Sequence, residues 1–127
     1  RDVAETVIPL GANIHKDGSV IGGVMKIAFL FGLLNKNMTS MSSVFSIIFI
    51  SFLVGAVMAA IPSGGMIGEM LILSIYGFSQ GLLPIIMVIS VIIDAPATVL
   101  NSTGNTVCSM MISRLVEGKE WIFNRAS

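Results

Sequence analysis

Charge is what this sequence has least of. Seven basic and seven acidic residues make up 11% of the 127, where an ordinary soluble domain carries about a quarter. Between Lys36 and Arg114 only Glu69 and Asp94 are charged. No water-facing surface can be covered from such a stretch, so the chain belongs in a bilayer. Other absences exclude further classes. A net charge of zero with no basic cluster excludes a nucleic-acid surface. One cysteine, Cys108, builds neither a disulfide framework nor a zinc site. Arg1 to Glu5 lacks the basic-then-apolar order of a secretory signal. No nucleophile–base pair and no His/Cys cluster is spaced for chemistry, so neither an enzyme, a catalytic residue nor a resident cofactor is expected. The chain turns apolar at once without an initial methionine, which reads as a piece of a longer polypeptide.

What is there is apolar: 54% of the residues, in four stretches. Ser19–Leu34 is interrupted by Lys26, which is read as snorkelling to an interface. Val44–Ile61 has no charge and stops at the breaker cluster Pro62-Ser63-Gly64-Gly65. Met66–Phe78 is too short to span, since a membrane helix needs roughly 20 residues. Leu82–Leu100 contains Asp94 and Pro96 and runs on into a more polar helix towards Trp121. The expected fold is an all-α integral membrane protein. It has a broken transmembrane helix (1–35), a loop (36–43), a re-entrant helical hairpin (44–80) and a final kinked transmembrane helix with its tail (81–127). A non-helical tip at membrane depth survives only where protein or a wet cavity surrounds it. Two ordinary packed helices with a surface turn are the alternative. The polar run Asn13-Ile14-His15-Lys16-Asp17-Gly18-Ser19 near the start is either an aqueous loop or the unwound middle of one helix, the kind of place where transporters coordinate ions and substrates.

Asp94 is the most informative residue, because an intramembrane carboxylate is costly and marks function by default. From it the sequence reads Asp94, Thr98, Asn101, Asn105, in steps of four, three and four, which puts all four on one helix face. Such a stripe can grip an ammonium group, hydrogen-bond a carboxylate and offer oxygen ligands to a hard cation. Interhelical hydrogen bonding is the plainer reading of the same residues. Asp17 alone is an ordinary turn residue before glycine. Glu69 either faces water or bonds within the protein, and the nine methionines are packing residues.

Three segments, in order, resemble the carboxy-terminal part of the dicarboxylate/amino acid:cation symporter family. Pro9 to Ser19 resembles the family's broken seventh helix, Ala60 to Gly65 the tip of its second re-entrant hairpin, and Asp94 to Asn105 its eighth helix. The resemblance implies a trimer whose mobile transport domains move like elevators against a scaffold. This chain would be the carboxy-terminal part of that transport domain, multi-pass in the cell (inner) membrane, completed by the rest of the polypeptide. It also implies roles. Asp94 would hold a substrate's amino group, with Thr98, Asn101 and Ser19 beside it, and the tip Ile61, Pro62, Ser63, Gly64 and Gly65 would close over it as a gate. Gly11, His15, Asn101 and Asn105 would contribute to one sodium site, Asn13, Gly55, Ala56 and Met58 to a second, and Asp17 to a third.

Four departures from the family's pattern bear on specificity and coupling. Ala97 stands at the position of the substrate-binding arginine, which removes a bidentate partner for a side-chain carboxylate. Asn105 replaces the final aspartate. His15 and Lys16 replace an asparagine and a methionine before Asp17, placing a cation beside that carboxylate and a protonatable ring nearby. Lys16 and His15 are therefore expected to alter coupling, weakening sodium dependence and making uptake respond to pH. The function expected is secondary active symport of a small amino acid, preferentially neutral, or a dicarboxylate, driven by sodium or protons. An intramembrane aspartyl hydrolase using Asp94 and Asp17, or a structural fragment without activity of its own, are the alternatives. Arg114, Lys119 and Arg125 after the last span favour a cytoplasmic carboxy terminus.

Overall fold

Short polar interruptions between apolar runs divide the described residues into five α-helices. This computed structural model describes residues 2–121, and no strand occurs among them. The helices are α1 (Asp2–Ile14), α2 (Asp17–Leu33), α3 (Met41–Ala60), α4 (Gly64–Ile75) and α5 (Leu83–Glu117), with a 3-10 turn at Gln80–Leu82 leading into α5. Residues 122–127, which include Arg125 and the end of the expected tail, lie outside the described residues.

The polar run near the start costs only two residues of helix. His15 still donates to the Gly11 carbonyl at 2.7 Å, and the Lys16 carbonyl accepts the first bond of α2 from Val20 at 2.9 Å. The interruption is thus His15-Lys16, narrower than the 13–19 run implies. Asp17 stands in the first turn of α2, where a carboxylate suits the positive helix end. After α2 the chain turns through Asn35, in the left-handed region at φ 50°, and Lys36 donates to the Phe31 carbonyl at 2.8 Å. Ser40 caps α3 by accepting from the Ser43 backbone at 3.1 Å, so the helix starts at Met41, inside the expected 36–43 loop.

Between α3 and α4 the interruption is Ile61-Pro62-Ser63. Ser63 takes φ 60°, and Gly64 and Gly65 belong to the first turn of α4 rather than to the tip. The physical reason lies in close packing against α3. A Cβ on Gly64 would sit 2.8 Å from the Met58 Cα, and one on Gly68 would sit 2.9 Å from Val54. Two small residues four apart let α4 fold back against α3, the packing device of membrane helices. At the other end α4 stops at Ile75, short of the expected 80. Phe31, Tyr76 and Phe78 cluster there, with ring centroids 5.1 to 6.0 Å apart, and the Tyr76 hydroxyl meets Ser46 Oγ at 2.9 Å.

The same device brings α2 against α5. Cβ atoms on Gly18 and Gly22 would meet the Ala97 carbonyl at 2.3 Å and Ile93 at 2.9 Å. On its other side α2 lies against α3, with Gly23 at Ser51 and Gly55 at Val20. Ile27, Leu30, Val54, Ile72, Leu73 and Ile86 fill the interior between α2, α3, α4 and α5. The outer faces are apolar too: Leu115 is 83% exposed and Val91 79%. Two helical runs, 41–59 and 80–117, are long and apolar enough to cross a bilayer. The twelve residues of α4 rise about 18 Å, well under the roughly 30 Å hydrocarbon core. Pro96 lies inside α5, where it removes one backbone donor from the ladder.

Candidate functional site

The first orphan backbone donors of α2 need partners, and the residue before the helix supplies none, since Lys16 makes no side-chain cap. The partner comes from α5. Asn101 Oδ1 accepts from the Gly18 backbone at 2.9 Å, and Asn101 Nδ2 donates to Ser19 Oγ at 3.1 Å. That bridge fixes the register of the polar stripe on α5 against the start of α2. Asp94, Thr98 and Asn101, together with Ala97 and Ser90, then face Gly18, Ser19, Gly22 and Lys26 across a cavity of about 70 Å³, to which the hairpin contributes Met58. Such a volume holds about two waters, so an amino acid enters only if the walls part. The wall offers a carboxylate, three hydroxyls and an amide beside the positive end of α2, a set that suits a small zwitterion: ammonium to Asp94, carboxylate towards the helix end. The tip residues Ile61 to Gly65 do not line this cavity. Ile61, Pro62 and Ser63 are exposed beyond it.

Around the interruption the candidate cation ligands fall into two groups. In one, His15, Asp17 and Gly11 approach α5 at Gly104 and Asn105. His15 Nε2 lies 3.6 Å from Asp17 Oδ2, and the absent side chain of Gly104 leaves the room that both occupy. Gly11 lies directly against the Asn105 amide. Asn105 Nδ2 donates to the Ile8 carbonyl at 3.2 Å, while its Oδ1 is buried with no hydrogen-bond partner. A buried oxygen acceptor with no donor fits a hard cation such as sodium. Two constraints apply: Gly11 already spends its carbonyl on the His15 backbone, and Asn101 spends its side chain on α2. In the second group Asn13, Ala56, Lys16 and Asp17 line an open groove of about 710 Å³ with Phe52 and Ile21. Asn13 Nδ2 is turned back to the Pro9 carbonyl at 3.1 Å, Gly55 is buried against Val20, and Met58 faces the smaller cavity.

Two expectations from sequence need correction. Lys16 does not pair with Asp17. Among the described residues its ammonium has no carboxylate within 4.0 Å, and it is His15 that meets Asp17. Lys16 precedes α2 and Asp17 opens it, and both line one groove without meeting. Lys26 does not snorkel either. Its ammonium lies 3.3 Å from Glu69 Oε1, both side chains are 3% exposed, and Ser90 Oγ donates to the same carboxylate oxygen. In a stretch nearly empty of charge, one buried cation and one buried anion had to find each other, since neither can stand alone in a low-dielectric interior. Opposite charges isolated within apolar runs were the signal for that pair.

The placement of the two aspartates also speaks against shared-proton chemistry. Asp17 sits at Gly104, and residues 94 and 104 are ten positions apart on α5. That is about 15 Å along a helix, too far for one proton to be shared.

Comparison with known proteins identifies the family. A family model described as the sodium:dicarboxylate symporter family matches residues 1–115. The neutral amino acid transporter A of Homo sapiens is 25% identical over 115 residues, covering 91% of this chain and 21% of the relative. The Bos taurus protein of the same name is 24% identical over 115 residues, covering 91% and 22%. The chain thus spans about a fifth of the length of the curated relatives it matches. No solved structure matches it significantly. These relatives are transporters and not enzymes. An almost uncharged all-helical chain, two helices long enough to span, and a family match over nine-tenths of its length have one explanation: this membrane protein belongs to the sodium:dicarboxylate symporter family.

Proposed function

We propose that the full-length protein is a secondary active transporter that couples uptake of a small, neutral amino acid to a cation gradient. The observation that carries this reading is the cavity where the Asp94–Thr98–Asn101 stripe meets the start of α2. An ammonium group bound at Asp94 neutralises an intramembrane carboxylate that has no side-chain partner among the described residues. A substrate carboxylate is placed at the backbone donors of α2 and at Ser19. Ala97, where the family's pattern has arginine, leaves a side-chain carboxylate without a guanidinium. The relatives' name, neutral amino acid transporter, supports the same preference.

The coupling cation, sodium by the family's name, is placed near the unpartnered Asn105 oxygen and Asp17. Its occupancy would brace the interruption between α1 and α2, and through Gly18 and Ser19 the substrate wall. His15, in contact with Asp17, adds a protonatable group to the same place, so pH is a second variable of coupling. In this proposal the α3–α4 hairpin is re-entrant, and its tip, Ile61 to Ser63, forms the gate together with Gly64 and Gly65 at the start of α4. It closes over the cavity when substrate and cation are bound. Alternation of access by an elevator movement of the transport domain, in a trimer in the cell membrane, follows the resemblance.

The test is uptake of an amino-acid and dicarboxylate panel by the full-length protein in liposomes, with sodium and proton gradients varied independently. Gradient-driven accumulation of neutral amino acids is expected. Absence of concentrative uptake of every amino acid and dicarboxylate would overturn the assignment. One substitution probes the specificity directly. Ala97→Arg should shift competition towards aspartate and glutamate by about tenfold, because a guanidinium in that wall needs a carboxylate partner.

A further inference from the structure

The cavity wall has a charged component that the family pattern does not explain. Lys26 lines the cavity together with Ser90, while Ala97 packs further along at Gly18. Its ammonium is directed to Glu69 of α4 at 3.3 Å, and Glu69 also accepts from Ser90. Lys26 is the cation on the cavity wall, while Glu69 lies behind that wall. We propose that the Lys26–Glu69 pair is the specificity determinant of the substrate cavity. Glu69 neutralises the ammonium that would otherwise select acidic side chains. This inference rests on the transport reading above and assigns a residue-level cause to its neutral preference.

The physical basis is the balance of charge in a desolvated wall. A lone ammonium 3% exposed is tolerable only with an anion beside it. With Glu69 present the requirement is met within the protein, and a second carboxylate brought by a substrate meets an ion pair with little net charge plus the Glu69 anion behind it. Remove the Glu69 charge and the requirement passes to the substrate. The pair also ties α4 to α2, so its charge balance is set on the arm of the hairpin whose tip is the proposed gate. Asp94 stands four residues beyond Ser90 and handles the amino group, so the two carboxylates have separate tasks: Asp94 faces the cavity, Glu69 is spent on Lys26.

The experiment uses the full-length protein in liposomes and reads the ratio of inhibition constants for aspartate and for serine against uptake of a labelled neutral amino acid. Glu69→Gln keeps the size and the Ser90 contact but removes the charge. It should improve aspartate relative to serine by about tenfold or more. A ratio that stays at the wild-type value in folded, transporting Glu69→Gln would overturn the proposal. Should Glu69→Gln fail to reach the membrane, the double variant Lys26→Met/Glu69→Leu decides, because it leaves no uncompensated charge. It should turn this wall apolar and favour leucine over serine by about tenfold relative to wild type. Wild-type selectivity in the double variant would equally refute it. Failure of the transport reading has a different signature, since wild type itself would then accumulate neither serine nor aspartate.

Discussion

Asp94→Asn in the full-length protein is expected to raise the amino-acid concentration for half-maximal uptake by about 100-fold, since truncating one partner of a charge pair that bound substrate desolvates costs roughly 3 kcal/mol. The side chain keeps its size, so the loss reports charge. The expected effect on stability has the opposite sign or none. Asp94 is exposed on the wall and has no side-chain partner among the described residues, so removing its charge relieves an uncompensated carboxylate in α5. Interhelical hydrogen bonding predicts the reverse, with thermal stability falling in Asp94→Asn while affinity holds. Measuring uptake and melting temperature on the same preparation separates the two roles.

Gly18→Ala is expected to abolish uptake while leaving the fold weakened. A Cβ at residue 18 would meet three backbone atoms of Ala97 at 2.3 to 2.9 Å, and backbone cannot rotate away as a side-chain end can. Relief requires α2 to move off α5, which breaks the 2.9 Å bond from the Gly18 backbone to Asn101 and opens the cavity. Overpacking of this kind costs about 1–3 kcal/mol, enough to lower the melting temperature by several degrees without unfolding the chain. Gly32→Ala is the control, because nothing lies within 4 Å of the added methyl group, and it should match wild type in both readouts. Equal uptake in the two variants would show that close approach of α2 and α5 is not needed.

The helical elements were legible from elementary signals. Charge depletion marked the membrane class, and Pro62 with Gly64 and Gly65 marked the interruption between α3 and α4. The spacing from Asp94 to Asn105 puts four polar residues on one face of α5; Asp94, Thr98 and Asn101 line the small cavity, while Asn105 lies apart against Gly11. What the sequence left open was decided by contacts distant along the chain. The run 13–19 reads as loop or helix alike, and the structure keeps all but two residues helical, with Asn101 of α5 accepting from a donor at the start of α2. Glycines at 64 and 65 read as breakers by propensity, yet both begin α4, with Gly64 packed closely on Met58. Adjacency suggests a Lys16–Asp17 pair, whereas the two residues line one groove without an ion pair and Asp17 meets His15. Lys26 and Glu69 are 43 positions apart, and the packing of α4 on α3 and α5 brings Glu69 within reach of α2.

In the proposed transporter, substrate at the Asp94 wall and a cation at the α1–α2 interruption bind as one coupled unit. Equilibrium binding of serine to the purified full-length protein, titrated across sodium concentration at several fixed pH values, tests it most directly. Coupling through Gly18 and Ser19 predicts that the cation raises serine affinity by at least about fivefold, and that serine raises cation affinity by the same factor, since linkage is reciprocal. Serine affinity that is unchanged by sodium at every pH, and unchanged by pH at every sodium concentration, would contradict the claim.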